Sequence, residues 1–282
     1  MKILNNCKKI LIEVNQTCNL NCTYCFYRDY GRVSESLSLD NIKEMLKKCP
    51  NADEFFITGG ECFTSKYIDE IIDLLHKNGS VIVFTNGIIL GKYDENRFKQ
   101  VVNNVDRFII SFDTFNFDNY VCRKNLDNTL ETIKRILEYD PLKLEVKVCI
   151  SHYNIDDLQE IFKGLIDLGV KYLSVNFVFD IKNSKINHEI KNYEKLVEIF
   201  NIIDKYKLYF NDKYIQVLKD LYLKNIVNEK FPCLADDSYY YLDCTNNYLI
   251  CPGNCKKIGQ RGNFKECYSK ECANEWEIMY MR

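Results

Sequence analysis

The chain has 282 residues, of which 46% are hydrophobic and 28% charged, and its net charge is −2. This length suffices for one large α/β domain with a small appendage, and the scattered, nearly balanced charge does not favour a nucleic-acid partner. The sequence contains no apolar stretch long enough to span a bilayer and no signal-peptide pattern at its N-terminus, so we expect a cytoplasmic protein without a membrane partner.

Strands and helices are predicted to alternate over the first two thirds of the chain. Apolar runs predict strands over residues 10–14, 55–59, 81–85, 107–113, 144–150 and 172–179. Amphipathic stretches predict the intervening helices over residues 40–48, 66–77, 94–102, 126–139 and 155–168. Six β units joined by helices predict a parallel sheet with right-handed crossovers. Since six units are too few to close an eight-stranded barrel, we expect an α/β fold with a partial, TIM-like (β/α)6 barrel.

The pattern changes after residue 179. Helices are predicted over residues 190–206 and 214–225, and short apolar runs at 239–242 and 248–250 follow among turn residues. We therefore place a domain boundary near residue 230. Residues 1–230 are expected to form the partial barrel with trailing helices, and residues 231–282 a small cysteine-rich appendage.

The 14 cysteines suggest metal binding or catalysis, because disulfides are rare in a reducing compartment. Cys18, Cys22 and Cys25 follow the first strand within one eight-residue loop. Three thiolates at this spacing can converge on one cubane cluster, and a [4Fe–4S] cluster normally takes four cysteines, so one iron would be left open for a non-protein ligand. A structural zinc site with a distant fourth ligand is the alternative, and spacing alone leaves both possible.

The surroundings of this loop resemble those of the radical S-adenosylmethionine (SAM) superfamily. The resemblance rests on the CxxxCxxC spacing after the first strand, on the aromatic Tyr24, and on motifs at later strand ends, and it covers residues 9–180. It implies that the cluster cleaves SAM to a 5′-deoxyadenosyl radical, which abstracts hydrogen from a substrate. It also implies that the backbone around Tyr24 contacts adenine and that an external reductant such as flavodoxin or ferredoxin supplies electrons.

Gly59, Gly60 and Glu61 end the second predicted strand. Two glycines let backbone approach a ligand closely, and a carboxylate can accept hydrogen bonds from an ammonium group. By resemblance this motif binds the amino group of SAM. Cys62 stands where the family usually has proline. Its thiol could donate a hydrogen atom during catalysis, or it could be a packed variant of that proline.

Polar residues also end the third and fourth predicted strands. Asn86, within Thr85-Asn86-Gly87, resembles a further family motif. Ser111 and Asp113 could cap the following segment, or by resemblance could contact the ribose or the carboxylate of SAM. Arg123 resembles an arginine that grips this carboxylate with two parallel hydrogen bonds, with a surface charge as the alternative.

Strand parity makes a prediction about the barrel lumen. In the fifth predicted strand, apolar residues alternate with Glu145, Lys147 and Cys149, and the sixth strand alternates similarly. The apolar faces should meet helices, so the polar faces should converge on a hydrated lumen. We expect Lys147, Asn176 and Asp180 to contact substrate or cofactor there. In the alternative, the fifth strand is partly exposed and its charges are solvated.

A second cysteine group lies near the C-terminus and comprises Cys233, Cys244, Cys251, Cys255, Cys267 and Cys272. We expect an auxiliary [4Fe–4S] cluster there, with a structural zinc site as the alternative. Residues 242–252 and the later Gly262-Asn263 resemble the SPASM/twitch appendage of radical SAM maturases, in which Cys233 and Cys251 match the first ligands. The long second half of a SPASM domain is lacking, so a one-cluster, twitch-like form is expected, and spacing does not select four ligands among the six.

Three functions follow as hypotheses. The SPASM/twitch resemblance favours an oxidoreductase-like enzyme that modifies a ribosomally synthesised peptide by crosslinking, thioether formation, epimerisation or oxidation. Related twitch enzymes act instead on small molecules such as sugar alcohols. A cluster protein without turnover is the third hypothesis, and the Gly-Gly-Glu motif beside the three-cysteine loop argues against it. Because nine residues precede the first predicted strand, we expect no fused domain that recognises a leader peptide.

Overall fold

The computed structural model describes residues 3–25, 27, 31–178, 189–224 and 238–249. Its strands are β1 (Lys9–Glu13), β2 (Glu54–Thr58), β3 (Ser80–Thr85), β4 (Arg107–Ser111), β5 (Leu144–Ile150), β6 (Tyr172–Phe177), β7 (Tyr239–Leu242) and β8 (Tyr248–Leu249). Its described helices are α1 (Leu39–Lys48), α2 (Ile68–His76), α3 (Glu95–Asn104), α4 (Leu126–Tyr139), α5 (Leu158–Asp167), α6 (Tyr193–Lys205) and α7 (Asp212–Leu223). None of these helices is both long and apolar enough to cross a membrane.

The described residues divide into two compact units. The first unit comprises residues 3–19, 32–109 and 238–249, and the second comprises residues 20–25, 27, 31, 110–178 and 189–224. The division passes through β4 and also through the cysteine loop, so that Cys18 belongs to the first unit and Cys22 and Cys25 to the second.

The first unit is built on β1, whose apolar sequence makes it a central strand. It pairs in parallel with β2, from Lys9↔Glu54 to Glu13↔Thr58, and on its other edge with β7, from Lys9↔Tyr239 to Ile12↔Leu242. The strand order in this unit is β4-β3-β2-β1-β7-β8, and β8 runs antiparallel to β7. Helices α1 to α3 belong to the same unit, and a Ser38–Asn41 capping box begins α1.

The second unit contains β4, β5 and β6 in adjacent positions together with helices α4 to α7. Strand β5 pairs in parallel with β6, from Glu145↔Tyr172 to Ile150↔Phe177. The even-numbered residues of β5 are apolar and completely buried, in agreement with the predicted alternation of its two faces.

The α/β class and the partial, open barrel are confirmed, because the described strands form a mostly parallel sheet that does not close. Strand β5 and helix α4 have the predicted bounds. Each of the other described elements begins and ends within three residues of its own predicted bounds. Strand β4 ends at Ser111, two residues before the predicted end at Asp113, whose side chain bonds Arg123 and Tyr24. The predicted domain boundary near residue 230 lies among residues that the structure does not describe.

Candidate functional site

The cysteine loop begins directly after β1 and carries Cys18, Cys22 and Cys25 as partly exposed thiols. A turn bonds the Cys25 N–H to the Cys22 carbonyl at 3.2 Å. Within the part of the chain that the structure describes, no three His, Cys, Asp or Glu side chains are gathered as metal ligands. The donor set nevertheless fits an iron–sulfur cluster chemically, because it offers three soft, accessible thiols from one short loop.

Gly59 and Gly60 pack against the backbone that leads into this loop. The Gly60 N–H donates to the Asn15 carbonyl at 2.9 Å, and the next N–H, that of Glu61, donates to the Thr17 carbonyl at 2.8 Å. A Cβ atom on Gly60 would lie 2.4 Å from the Gln16 carbonyl oxygen, closer than any real contact allows. The structure therefore uses these glycines to hold residues just before Cys18, and their predicted contact with SAM stays a prediction.

The Glu61 carboxylate joins the ends of β2 and β3. It accepts hydrogen bonds from the Thr85 hydroxyl at 2.6 Å and from the Asn86 N–H at 2.8 Å, and the residue is 2% exposed. Burial raises the pKa of Glu61 above its ordinary value, although these hydrogen bonds oppose the shift. The Asn86 amide in turn donates to the Asn19 side chain at 2.8 Å, so this network reaches the residue that follows Cys18.

Cys62 lies beside this network and is completely buried. Its Sγ lies 3.4 Å from the Phe84 carbonyl oxygen and 3.7 Å from a Glu61 oxygen. Burial raises the pKa of the Cys62 thiol well above its ordinary value, and the nearby Glu61 adds to the shift. This geometry favours the interpretation of Cys62 as a packed replacement for proline over that of a hydrogen-atom donor.

In the second unit, Tyr24, Asp113 and Arg123 form one buried network. The Tyr24 hydroxyl donates to Asp113 Oδ2, and Arg123 Nε donates to the Tyr24 hydroxyl at 2.9 Å and to Asp113 Oδ2 at 3.0 Å. Burial alone would lower the pKa of Arg123, but the neighbouring Tyr24 and Asp113 raise it, so the guanidinium stays charged. Burial raises the pKa of Tyr24, which keeps the phenol neutral and able to donate.

The surroundings of this network include Ser111, which was predicted as a site residue, and Asn154, which was not. Ser111 contributes its carbonyl, which lies 3.4 Å from Arg123 Nη1. Asp113 Oδ1 accepts from the Cys149 N–H at 3.1 Å, and the buried Asn154 amide donates to the Asp113 carbonyl at 2.9 Å. Asn154 was missed, and the signal that could have found it is the turn after β5, in which its side chain accepts from the Ser151 N–H.

Lys147 and Asn176 lie on the polar face that β5 and β6 share, since Lys147 pairs in register with Ser174 and Cys149 with Asn176. Glu145 and Lys147 are each only 6% exposed, so the alternative in which they are solvated is wrong. The Tyr214 hydroxyl donates to the Asn176 side chain at 3.1 Å. Asp180, the third predicted contact on this face, lies outside the described residues, and a role in binding stays a prediction for all three.

Cys244 is the described member of the C-terminal cysteine group. It is buried, its N–H donates to Glu13 Oε2 at 3.2 Å, and burial together with the nearby Glu13 raises the pKa of its thiol. The same Glu13 oxygen accepts from the Gln16 amide at 3.2 Å, two residues before Cys18. Glu13, a charged residue that ends an apolar strand, was not predicted as a site residue. The other cysteines of the group lie outside the described residues: Cys233, Cys251, Cys255, Cys267 and Cys272.

Sequence comparison identifies a matching family and several similar proteins. The family model described as "Radical SAM superfamily" matches residues 12–163. GTP 3′,8-cyclase of Clostridium perfringens is 24% identical over 93% of this chain and 74% of its own length. A probable GTP 3′,8-cyclase of Methanococcus aeolicus is 28% identical over 91% of this chain and 87% of its own length.

SuiB and anSMEcpe are solved structures with a similar fold. SuiB of Streptococcus suis bound to S-adenosylmethionine superposes with a TM-score of 0.67 and 15% identity, covering 96% of this chain and 65% of SuiB. This chain therefore spans less than two thirds of the length of SuiB. The structure of anSMEcpe with bound AdoMet and the Cp18Cys peptide superposes with a TM-score of 0.63 and 17% identity, covering 98% of this chain and 84% of anSMEcpe.

Proposed function

Because this chain belongs to the radical SAM superfamily, we propose that it cleaves S-adenosylmethionine and uses the resulting 5′-deoxyadenosyl radical to abstract hydrogen from a ribosomally synthesised peptide. Membership of the family implies a [4Fe–4S] cluster with SAM, and Cys18, Cys22 and Cys25 are the residues that would hold it. When bound, the cluster supplies the electron that breaks the sulfonium–C5′ bond of SAM.

The observation that carries the enzyme proposal is the way the cysteine loop is held. The residues that lead into the loop accept hydrogen bonds from the Gly60 and Glu61 N–H groups. Within the loop, the Tyr24 side chain is bonded to Arg123 and Asp113. A catalytic metal site needs ligands fixed by surrounding hydrogen bonds, whereas a loop that merely packs does not. In this proposal Gly59, Gly60, Glu61, Asn86 and Ser111 line the SAM site.

Among the described residues of the second unit, the buried charges balance: the cations are Arg123 and Lys147, and the carboxylates are Asp113 and Glu145. A substrate without a strong charge of its own fits this balance. A peptide backbone needs only hydrogen bonds, and the similar folds of SuiB and of anSMEcpe bound to a peptide support the same class.

A small-molecule substrate is the second candidate, and the relatives named GTP 3′,8-cyclase favour it. They align with more than nine tenths of this chain. Their identity of 24–28% leaves room for a different substrate on the same family scaffold. A small alcohol or a nucleotide would then take the place of the peptide.

We also propose a twitch-like auxiliary [4Fe–4S] cluster in the C-terminal segment and an external flavodoxin or ferredoxin as electron donor. Because the Cys244 thiol is buried beside the Glu13 side chain, we favour ligands from the other five cysteines of the group. An auxiliary cluster would contact the substrate or accept an electron after hydrogen abstraction.

The substrate class can be tested directly. The enzyme is coexpressed with the peptide of a short open reading frame next to its gene, and the peptide is analysed by mass spectrometry against coexpression with the triple Cys18→Ala/Cys22→Ala/Cys25→Ala variant. In parallel, the reconstituted enzyme is incubated anaerobically with SAM, reductant and GTP. A mass change in the peptide that depends on the three cysteines supports the proposal. Consumption of GTP with an unchanged peptide would replace it with the second candidate.

A further inference from the structure

We propose that Arg123 is a positioning residue that, together with Asp113, holds Tyr24 and so fixes the second half of the cysteine loop before SAM binds. This inference rests on the proposed function. It differs from the role that resemblance suggests for Arg123, in which the guanidinium grips the SAM carboxylate.

The Arg123 guanidinium is already bonded to oxygens of the protein. Arg123 Nε lies 2.9 Å from the Tyr24 hydroxyl and 3.0 Å from Asp113 Oδ2, and these two groups are bonded to each other. Nη1 faces the Ser111 carbonyl at 3.4 Å. Two protein oxygens therefore occupy Arg123 Nε and a third lies near Nη1, so a parallel two-bond grip on a ligand through Nε and Nη2 would have to displace Tyr24 and Asp113.

The charge of Arg123 is compensated within the protein by Asp113. Arg123 is 7% exposed and Asp113 is completely buried, so each charge depends on the other for compensation. A cation already neutralised by a buried carboxylate attracts a second carboxylate weakly. Breaking this pair would strand a buried charge, so the arrangement should persist whether or not SAM is bound.

The backbone of the cysteine loop is bonded to the same region of the second unit. The Thr23 N–H donates to the Cys122 carbonyl at 2.9 Å, so two consecutive loop residues, 23 and 24, are bonded to two consecutive residues, 122 and 123. Asp113 is fixed in turn by the Cys149 N–H and by the Asn154 side chain. The loop segment between Cys22 and Cys25 is thus attached to a rigid base that follows β4.

The chain contains a matched control. In the first unit, Arg97 Nε bonds Asp69 at 2.6 Å and Arg97 Nη2 bonds the Tyr93 hydroxyl at 2.9 Å, so the same three side-chain types meet, with the tyrosine on Nη2 rather than on Nε. This group joins α2 to α3, and the Arg97 side chain is 46% exposed. Variants at Arg97 and Tyr93 therefore show how the loss of such a hydrogen-bonded group changes the protein at a site away from Tyr24.

The first experiment uses amide hydrogen exchange in the full-length, cluster-free protein. Tyr24→Phe and Arg123→Met should each speed exchange in a peptide spanning the loop, the latter about tenfold, while Tyr93→Phe and Arg97→Met leave that peptide unchanged. Tyr24→Phe removes one oxygen only, so it tests the proposal even if Arg123→Met folds poorly. Because no cluster or SAM is needed, this experiment stays informative if the proposed enzyme activity fails.

The second experiment uses the reconstituted protein and the spectrum of its reduced cluster without SAM. Both Tyr24→Phe and Arg123→Met should shift the electron paramagnetic resonance signal of the SAM-free cluster, and Arg123→Lys should restore it only partly because lysine lacks the planar fork. Unchanged loop exchange and an unchanged SAM-free signal in Arg123→Met, with SAM affinity alone lowered, would overturn the proposal and assign Arg123 to the SAM carboxylate.

Discussion

The backbone N–H of Asn86 donates a 2.8 Å hydrogen bond to the Glu61 carboxylate, which is 2% exposed and also accepts from the Thr85 hydroxyl. One buried side chain thereby joins the ends of two neighbouring parallel strands. Glu61 is thus placed to orient the strand ends around the expected SAM site, whatever it contacts in SAM itself.

Replacing Glu61 with Gln should destabilise the cluster-free protein by about 1–3 kcal/mol, because an amide N–H₂ group would face either the Asn86 N–H or the Phe63 N–H. Glu70→Gln, on an exposed position of α2, is the control and should change stability little. Chemical denaturation measures both. A Glu61→Gln protein as stable as the wild type would show that the carboxylate does not hold the strand ends.

The same pair of proteins should differ in pH dependence. Since burial raises the pKa of Glu61 in the folded state, its contribution to stability is complete below the unfolded pKa and declines as the pH rises through the folded pKa. Glu61→Gln lacks this titration. The wild type should therefore exceed Glu61→Gln in free energy of unfolding by more at a pH near the ordinary pKa of a glutamate than at neutral pH. Denaturation at both pH values measures this difference. An advantage that grows with pH would contradict the raised pKa.

Gly60→Ala should displace the residues that precede Cys18, because the new Cβ would lie 2.4 Å from the Gln16 carbonyl and 2.5 Å from the Thr17 carbonyl. We expect iron incorporation on reconstitution to fall by more than half and stability to fall by about 1–3 kcal/mol. Gly169→Ala is the control, since its φ of +104° makes alanine strained while no atom lies within 4 Å. If both variants retain full iron, the glycine contact does not set the loop.

Much of the fold followed from sequence because the relevant signals are local. The alternation in β5 fixed both its bounds and its buried polar face, and the periodicity of α4 fixed that helix. Contacts between residues far apart in the sequence could not be predicted in this way. The sequence could not show that the glycines after β2 pack against the backbone of residues 15–17. Nor could it show that Arg123 would bond Tyr24, which lies 99 residues earlier.

Lys147→Met tests the predicted lumen. Lys147 is 6% exposed, so removing its charge should lower the affinity for SAM or for substrate about tenfold or more while leaving the iron content unchanged. Lys163→Met, which removes a lysine with a 67% exposed side chain, is the control. Equilibrium binding of SAM and the rate of product formation are measured. Wild-type values for both in Lys147→Met would exclude Lys147 from the site.

The C-terminal cysteines test the auxiliary cluster. Replacing Cys251 and Cys255 together with alanine should remove the iron of one cluster and abolish product while some uncoupled 5′-deoxyadenosine is still formed, because this cluster would act on the substrate rather than on SAM. Cys244→Ser, at the thiol beside Glu13, should retain the iron. Product formation that survives loss of the auxiliary iron would refute this role.

The most direct test of the account is the yield of 5′-deoxyadenosine from the reconstituted protein, incubated anaerobically with SAM and a strong reductant and analysed by chromatography. We expect 5′-deoxyadenosine with the wild type and none with Cys18→Ala, Cys22→Ala or Cys25→Ala, each of which should also lose the iron of one cluster. Wild-type protein with full iron and no 5′-deoxyadenosine, or a triple variant that retains all its iron, would contradict it.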